Sequence, residues 1–435
     1  MMKKYTLAVA LTLAGWSSFA QNVDKLIQAK DVERIIKTLS ADDMQGRATF
    51  TPGIDKAATF IEGEFKKIGL EPFKGNTGYR QNFSMTHIAP LKSNVSVNGT
   101  IVPAEHVAIA AGASFDWSNN ADVQVVKIGA EQNFQQEYRN YMRSGKKTLL
   151  LIDPHFEAFF KRLQAYIGRG TTTFDDNAAT NPQQIVMVLG TYNEVKSYEV
   201  SYQTKAEKQP LFNVAGMIKG KSKPDEYVVF AGHYDHLGII QSAAGDSIAN
   251  GADDDASGTT AMITLAKYYK QLHNNERTLI FVAFCAEEIG GYGSQYFSKQ
   301  LNPDQTVAMF NIEMIGKPSK WGTNSAFITG FERSDFGEIL QRNLQGTAFK
   351  FYPDPYPQQN LFYRSDNATL ARLGVPAHTI STDQIDTDKY YHSVDDELST
   401  LDVNNITATI RAIALSSRSI VAGQDTPKRI AKLEQ

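Results

Sequence analysis

Cysteine is nearly missing from this chain. Cys285 is the only one in 435 residues, so no intrachain disulfide can form. It lies at the end of the apolar run Leu279-Ile280-Phe281-Val282-Ala283-Phe284, which marks a buried structural thiol rather than a nucleophile. An excess of charge of one sign is missing too. The formal net charge is −3, and acidic and basic residues are well mixed, with no basic stripe suited to nucleic acid or an anionic membrane. Short-period repeats and low-complexity tracts are absent. So are apolar runs long enough to span a bilayer comfortably. The one candidate, Tyr5 to Trp16, follows the basic start Met1-Met2-Lys3-Lys4 and precedes Ser18-Phe19-Ala20. That order reads as a secretory signal peptide over residues 1–20, cleaved after Ala20, and predicts an exported, periplasmic or extracellular protein. No cysteine near that point offers a lipid attachment site.

What remains is ordinary globular composition, long enough for two or three domains. From Asp31 to Leu70 the spacing predicts two helices around a loop, and Tyr79 to Phe83 a strand. Residues 87–204 change texture. Short β-prone runs such as Val95-Ser96-Val97 and Leu149-Leu150-Leu151-Ile152 alternate with polar turns, which predicts an inserted β-rich domain. Its His87, His106 and His155 stand apart from any carboxylate grouping and read as surface or structural. From Leu211 strands and helices alternate. Strands are expected at Asn213–Ile218, Tyr227–Ala231, Thr278–Phe284, Val307–Met314 and Ala377–Ile380. Helices are expected at Ala256–Leu272, Gly293–Leu301, Phe336–Leu344, Asp366–Leu373 and Val403–Val421. The implied fold class is α/β: a mostly parallel central sheet flanked by helices, built from residues 21–86 and 205–435 around the insertion. Sites in such folds lie at the carboxyl ends of the strands.

The chemistry-bearing residues fall at those ends. Gly232-His233-Tyr234-Asp235-His236 closes one apolar run, and Gly251-Ala252-Asp253-Asp254-Asp255-Ala256-Ser257-Gly258 opens a helix soon after. Glu287-Glu288 follows the Leu279–Phe284 run, Glu313 follows Val307–Ile312, and Tyr391-His392 comes later. Histidine nitrogen with carboxylate oxygens is a donor set for a divalent metal. Asp235 is placed to accept the other ring N–H of His233. Adjacent glutamates after a buried strand are costly unless ions or protons neutralise them. One of the pair can bind metal while its neighbour reaches a metal-activated water. The central aspartate, Asp254, is best placed to bridge two metals about 3.5–4 Å apart. His236 and His273 read as non-ligands.

In this order the pieces resemble metallopeptidase family twenty-eight, the co-catalytic di-zinc aminopeptidases related to glutamate carboxypeptidase and the transferrin receptor, of zinc-peptidase/phosphorylase-like fold. The resemblance covers the segments on both sides of the insertion, which sits where many relatives carry a protease-associated domain. It implies two Zn2+ per chain: one held by His233, Asp254 and Glu313, the other by Asp254, Glu288 and His392. It implies Glu287 as general base, Asp235 orienting His233, Tyr391 as a donor to the tetrahedral oxyanion, and a cis bond between Asp254 and Asp255. Peptides would be the substrates, cut at the N-terminal bond. Glu313 departs from the usual aspartate. In Arg364-Ser365-Asp366-Asn367, Asn367 stands where relatives have histidine, and no catalytic role is assigned to that loop. A carboxypeptidase or dipeptidase remains the rival within the fold, with Arg364 and Arg372 as possible carboxylate readers. A glutaminyl cyclase-like enzyme and a non-catalytic binding relative are the others.

Overall fold

The computed structural model describes residues 23–119, 122–174, 183–240 and 245–433. The export segment expected over residues 1–20 lies outside them. Two compact units result, one formed by the chain up to Asn82 and again from Leu211, the other by Phe83–Pro210. The expected limits of the insertion, 87 and 204, fall inside the long strands Arg80–Val97 and Tyr198–Ile218, where no turn residue marks a border.

The first unit is built on one sheet. Its order is Lys350–Pro353, Ser325–Ile328, Ala377–Ser381, Thr306–Ile312, Lys223–His233, Arg277–Phe284 and the 214–218 end of Tyr198–Ile218. From Ala377–Ser381 to Arg277–Phe284 the neighbours run parallel, while the strands on either side join antiparallel. Every residue of Arg277–Phe284 and Thr306–Ile312 is buried. That is why these strands read as continuous apolar runs rather than alternations. Phe230 stacks between Phe281 and Phe310, with ring centroids 5.5 and 4.8 Å away. Burying each such ring is worth about 1.5–3 kcal/mol.

Helices cover the sheet. Ala29–Leu39 buries Val32, Ile35, Ile36 and Leu39 as a single stripe. Pro52–Ile68 has proline at its start and Gly69 at φ 79° just past its end. Gly258–Leu272 is buried on almost all sides. The expected closing helix is broken into Val403–Ser416 and Arg418–Val421. At the break the Ser417 hydroxyl donates to Ile413 O at 2.6 Å and meets the Tyr269 hydroxyl, competing with the backbone ladder. Strands Ser325–Ile328 and Lys350–Pro353 were not anticipated, since four residues are too few to show a period.

The second unit has its own sheet, ordered Val107–Ala111, Gln184–Leu189, Thr148–Ile152, Gln124–Ile128. It also carries helices Phe134–Arg143 and Glu157–Gly168, so it is mixed α/β rather than β-rich alone. The first of these buries only Phe134, which leaves no apolar stripe to read in the sequence.

Candidate metal centre

The ligand-type side chains sit where the parallel strands end. His233 is the last residue of Lys223–His233, Glu287-Glu288 follow Arg277–Phe284, and Glu313 follows Thr306–Ile312. The three aspartates between Gly251 and Gly258 do different work. Asp255 accepts from the backbone N–H groups of His233 (3.1 Å), Gly258 (3.0 Å) and Met314 (3.1 Å), locking the ends of two strands to the helix start. Asp253 accepts from Gly316 N–H at 2.7 Å and meets Lys317 Nζ at 3.1 Å. Asp254 is the one of the three that faces His233 and His392, and the peptide bond that follows it is cis. Gly258 cannot carry a side chain here, because a Cβ would lie 2.0 Å from Ile312 O.

Two residues that the sequence did not single out hold this loop. Arg47 is fully buried and donates to the carbonyls of Leu39 (2.6 Å), Tyr234 (2.8 Å), Asn250 (2.6 Å) and Gly251 (2.9 Å). It thereby ties the segment after His233 to the aspartate turn. Asp396 accepts from the N–H groups of Asp253 (2.9 Å) and Asp254 (3.0 Å). An arginine at the end of the short 3-10 helix Asp42–Arg47 and one of two adjacent aspartates carry no periodic signal, so only the fold reveals them.

Ligand-type atoms converge in two groups that share Asp254. His233, Asp254 and Glu313 each offer an atom within 4.8 Å of the others, and so do His236, Asp254 and Glu288. His233 Nε2 is 3.1 Å from Asp254 Oδ1. His392 Nε2 is 3.3 Å from Asp254 Oδ2 and 3.1 Å from Glu288 Oε2. His236, read from the sequence as a non-ligand, is buried with Nδ1 2.7 Å from Glu288 Oε1. Asp235 holds His233 differently from the expectation. The ring Nδ1 faces the Asp235 backbone carbonyl at 3.1 Å and the nearer carboxylate oxygen at 3.9 Å. The Asp235 carboxylate instead accepts from the N–H groups of Glu287 (3.1 Å) and Glu288 (3.3 Å), because the chain turns there and leaves those donors free.

The loop to which the sequence assigned no role also reaches the centre. Ser365 donates to Glu313 Oε2, and Asn311 Nδ2 lies 3.3 Å from the same oxygen. Asp366 is buried beneath, with its carboxyl pushed up to about 7 by burial. Asn367 is structural, donating to Phe362 O and Ala377 O and accepting from Thr379. Tyr391 stacks on His392, ring centroids 3.9 Å apart. His273, distant from this cluster, ends the Gly258–Leu272 helix in a left-handed conformation.

The electrostatics fit cations. Burial pushes Glu287 well above the usual carboxyl range, and the charges of Glu313, Asp366 and Glu288 add to it against His233. Glu313 is raised by burial and by Asp254. Burial works in the same sense on Asp254, but hydrogen bonds from His233 and His392 win and hold it well below its ordinary value. His392 is lifted to about 10 by Asp254 and Glu288, against burial. Such a crowd of buried carboxylates needs positive charge. His233 Nε2 meets Asp254 Oδ1 at 3.1 Å, and the buried His236 Nε2 has no hydrogen-bond partner among the described residues. Imidazole nitrogens with shared carboxylate oxygens are a zinc donor set. A further acidic group, Asp253, Asp383 and Asp388, already has its cation: Lys317 Nζ lies 3.1 Å from Asp253 and 2.5 Å from Asp388. Beside the centre opens a cavity of about 240 Å³ whose walls include Phe327, Leu361 and Ile385.

Residues 213–416 match the model of peptidase family M28. A probable zinc metalloprotease of Pyrenophora teres f. teres (strain 0-1) is 34% identical over 129 residues, 28% of this chain and 26% of that protein. A probable leucine aminopeptidase of Trichophyton verrucosum (strain HKI 0517) is 29% identical over 234 residues, 52% of this chain and 58% of that protein. The matched stretch thus spans about a quarter of the first relative and less than two thirds of the second. Among solved structures, an aminopeptidase from Aneurinibacillus sp. strain AM-1 superposes with a TM-score of 0.56 over 95% of this chain and 97% of that one, at 16% identity. At that identity the likeness speaks for the fold.

Proposed function

The chain belongs to peptidase family M28, and from that premise we propose that it is an exported zinc aminopeptidase working with two metal ions. The observation that carries this reading is Asp254, which stands in both donor groups at once with Glu287 beside them. His233, Asp254 and Glu313 would hold one zinc, and Asp254, Glu288 and His392 the other. His236 would orient Glu288 through its 2.7 Å contact. When bound, the zinc pair polarises the scissile carbonyl and acidifies the attacking water. Glu287 takes the proton from that water and returns it to the leaving amine. Burial keeps the Tyr391 phenol above its ordinary range, so it stays a donor and can serve the oxyanion. The export part rests on the order of basic, apolar and small residues over 1–20.

The test combines zinc analysis of the mature chain with a panel of aminoacyl-nitroanilides, with and without chelator. About two zincs per chain, as the shared-aspartate arrangement requires, and chelator-sensitive release are expected. Two zincs without release would overturn the aminopeptidase reading. A single zinc would remove the two-metal mechanism.

A further inference from the structure

The centre is flanked by a second cavity, of about 570 Å³, which shares Glu287, Arg364 and Ser365 with the first. None of the proposed metal ligands lines it, and Glu287 is the single acidic residue of its wall. Against that one acid stand Arg364, Arg372 and Lys299, all exposed, in a chain whose net charge is −3. Neither guanidinium is paired with a carboxylate among the described residues. Arg364 donates to Gln359 Oε1 at 3.2 Å, and Arg372 lies over the Tyr363 ring, 5.4 Å from its centroid. Ser294, Gln295, Ser298 and Thr369 line it too, their polar groups bonded to nearby backbone carbonyls, beside the apolar surfaces of Tyr363, Ala368 and Leu373.

We propose that this cavity receives the leaving side of the substrate and binds a carboxylate there. The enzyme would then prefer short peptides whose free C-terminus lies just beyond the scissile bond. The inference rests on the aminopeptidase reading. Its direction comes from Glu287, the acid among the three residues common to both cavities. The metal-capable side chains face the first cavity, so the carbonyl and the residue before it lie on that side. The leaving amine must reach Glu287, and the residue that bears this amine extends into the second cavity. Guanidinium groups match a carboxylate through paired N–H donors, and two of them near a third cation exceed what a neutral leaving group needs.

The experiment uses the zinc-loaded enzyme and X-Ala, where X is the residue best accepted in the nitroanilide panel. X-Ala is compared with X-Ala amide, X-Glu amide and acetyl-X-Ala. The kcat/KM for X-Ala should exceed that for its amide by roughly tenfold or more, mainly through KM, as for a lost hydrogen bond to charge. Added salt should narrow the gap, because the cations are exposed. The Arg364→Gln/Arg372→Gln double variant should bring the ratio toward one. Calorimetric titration of the Glu287→Gln protein should show the same preference in Kd, without turnover. Equal kcat/KM for acid and amide overturns the proposal, as does a ratio untouched by the double variant. X-Glu amide matching X-Ala would move the carboxylate from the terminus to a side chain and overturn the short-peptide preference. Cleavage of acetyl-X-Ala would overturn the aminopeptidase reading and leave the carboxylate site standing. No binding and no cleavage of any of them would overturn both.

Discussion

At the scale of single residues, identical side chains have unlike roles because the fold aims them differently. Asp253 and Asp255 accept backbone N–H groups, whereas Asp254 is left to face the two histidines His233 and His392. Glu287 and Glu288 divide in the same way: Glu288 is held by His236 and His392, and Glu287 has no such cation at hydrogen-bond distance among the described residues. Glu287→Gln should therefore keep its zinc yet lose about 10²–10⁴-fold in kcat, the range for a missing general base. Metal analysis beside steady-state kinetics reads both halves, and wild-type turnover would remove Glu287 from the mechanism. Glu313 makes a second case. Its carboxylate is steadied by Ser365 and Asn311, which suits the longer side chain found where aspartate is usual. Glu313→Ala should lose one of the two proposed zinc equivalents, and Glu313→Asp should retain it. Full zinc occupancy in Glu313→Ala would strike it from the ligand set.

At the scale of elements, the strands and helices that bear ligands were legible because each is a long apolar run closed by glycine or acid. Arg277–Phe284 and Thr306–Ile312 are buried throughout, and a run of that kind needs no partner sequence to be read. What stayed hidden depends on contacts distant in sequence. Arg47 meets Asn250 and Gly251 only once the chain has folded back on itself, and His236 meets Glu288 across neighbouring strand ends. Removing Arg47 leaves buried carbonyls without donors beside several acids. Arg47→Met should cost about 3–5 kcal/mol and weaken zinc binding, readable from urea midpoints and zinc titration. A near-neutral effect would mean that the turn is held elsewhere. His378 provides a pH test in the Ala377–Ser381 strand. Burial lowers its pKa from 6.5 to about 4, with Nδ1 2.8 Å from Thr329 O. A neutral buried imidazole favours the fold fully above pH 6.5, and that contribution is lost as the pH falls toward 4. The difference amounts to about 3 kcal/mol. His378→Gln should flatten the fall in denaturation midpoint over that window, and an unchanged slope would assign it to other groups.

At the scale of the whole molecule, the two units differ in what stabilises them. The second unit rests on apolar clusters of its own, around Trp117, Val186 and Tyr202 and around Phe134, Leu150 and Phe160. The first has a comparable cluster around Ile280, Phe284 and Phe297, but it also encloses Asp254, Glu287, Glu288 and Glu313, whose charges oppose one another when no cation compensates them. Metal bound only by the folded state stabilises by mass action, about 4 kcal/mol at a thousandfold excess over Kd. For a unit of this size that corresponds to a Tm shift of about 6 °C. Calorimetry should therefore show two transitions, of which chelator lowers one by about that amount and leaves the other in place, with added zinc restoring the first. A Glu313→Ala chain should show a smaller chelator shift on the same transition, since part of its metal is already gone. If chelator moved both transitions together, folding of the two units would be energetically linked, and the metal would stabilise the chain as a whole. If it moved neither, the buried carboxylates would be neutralised by protons rather than zinc, and the metal reading of the site would fall at the scale on which its consequences are largest.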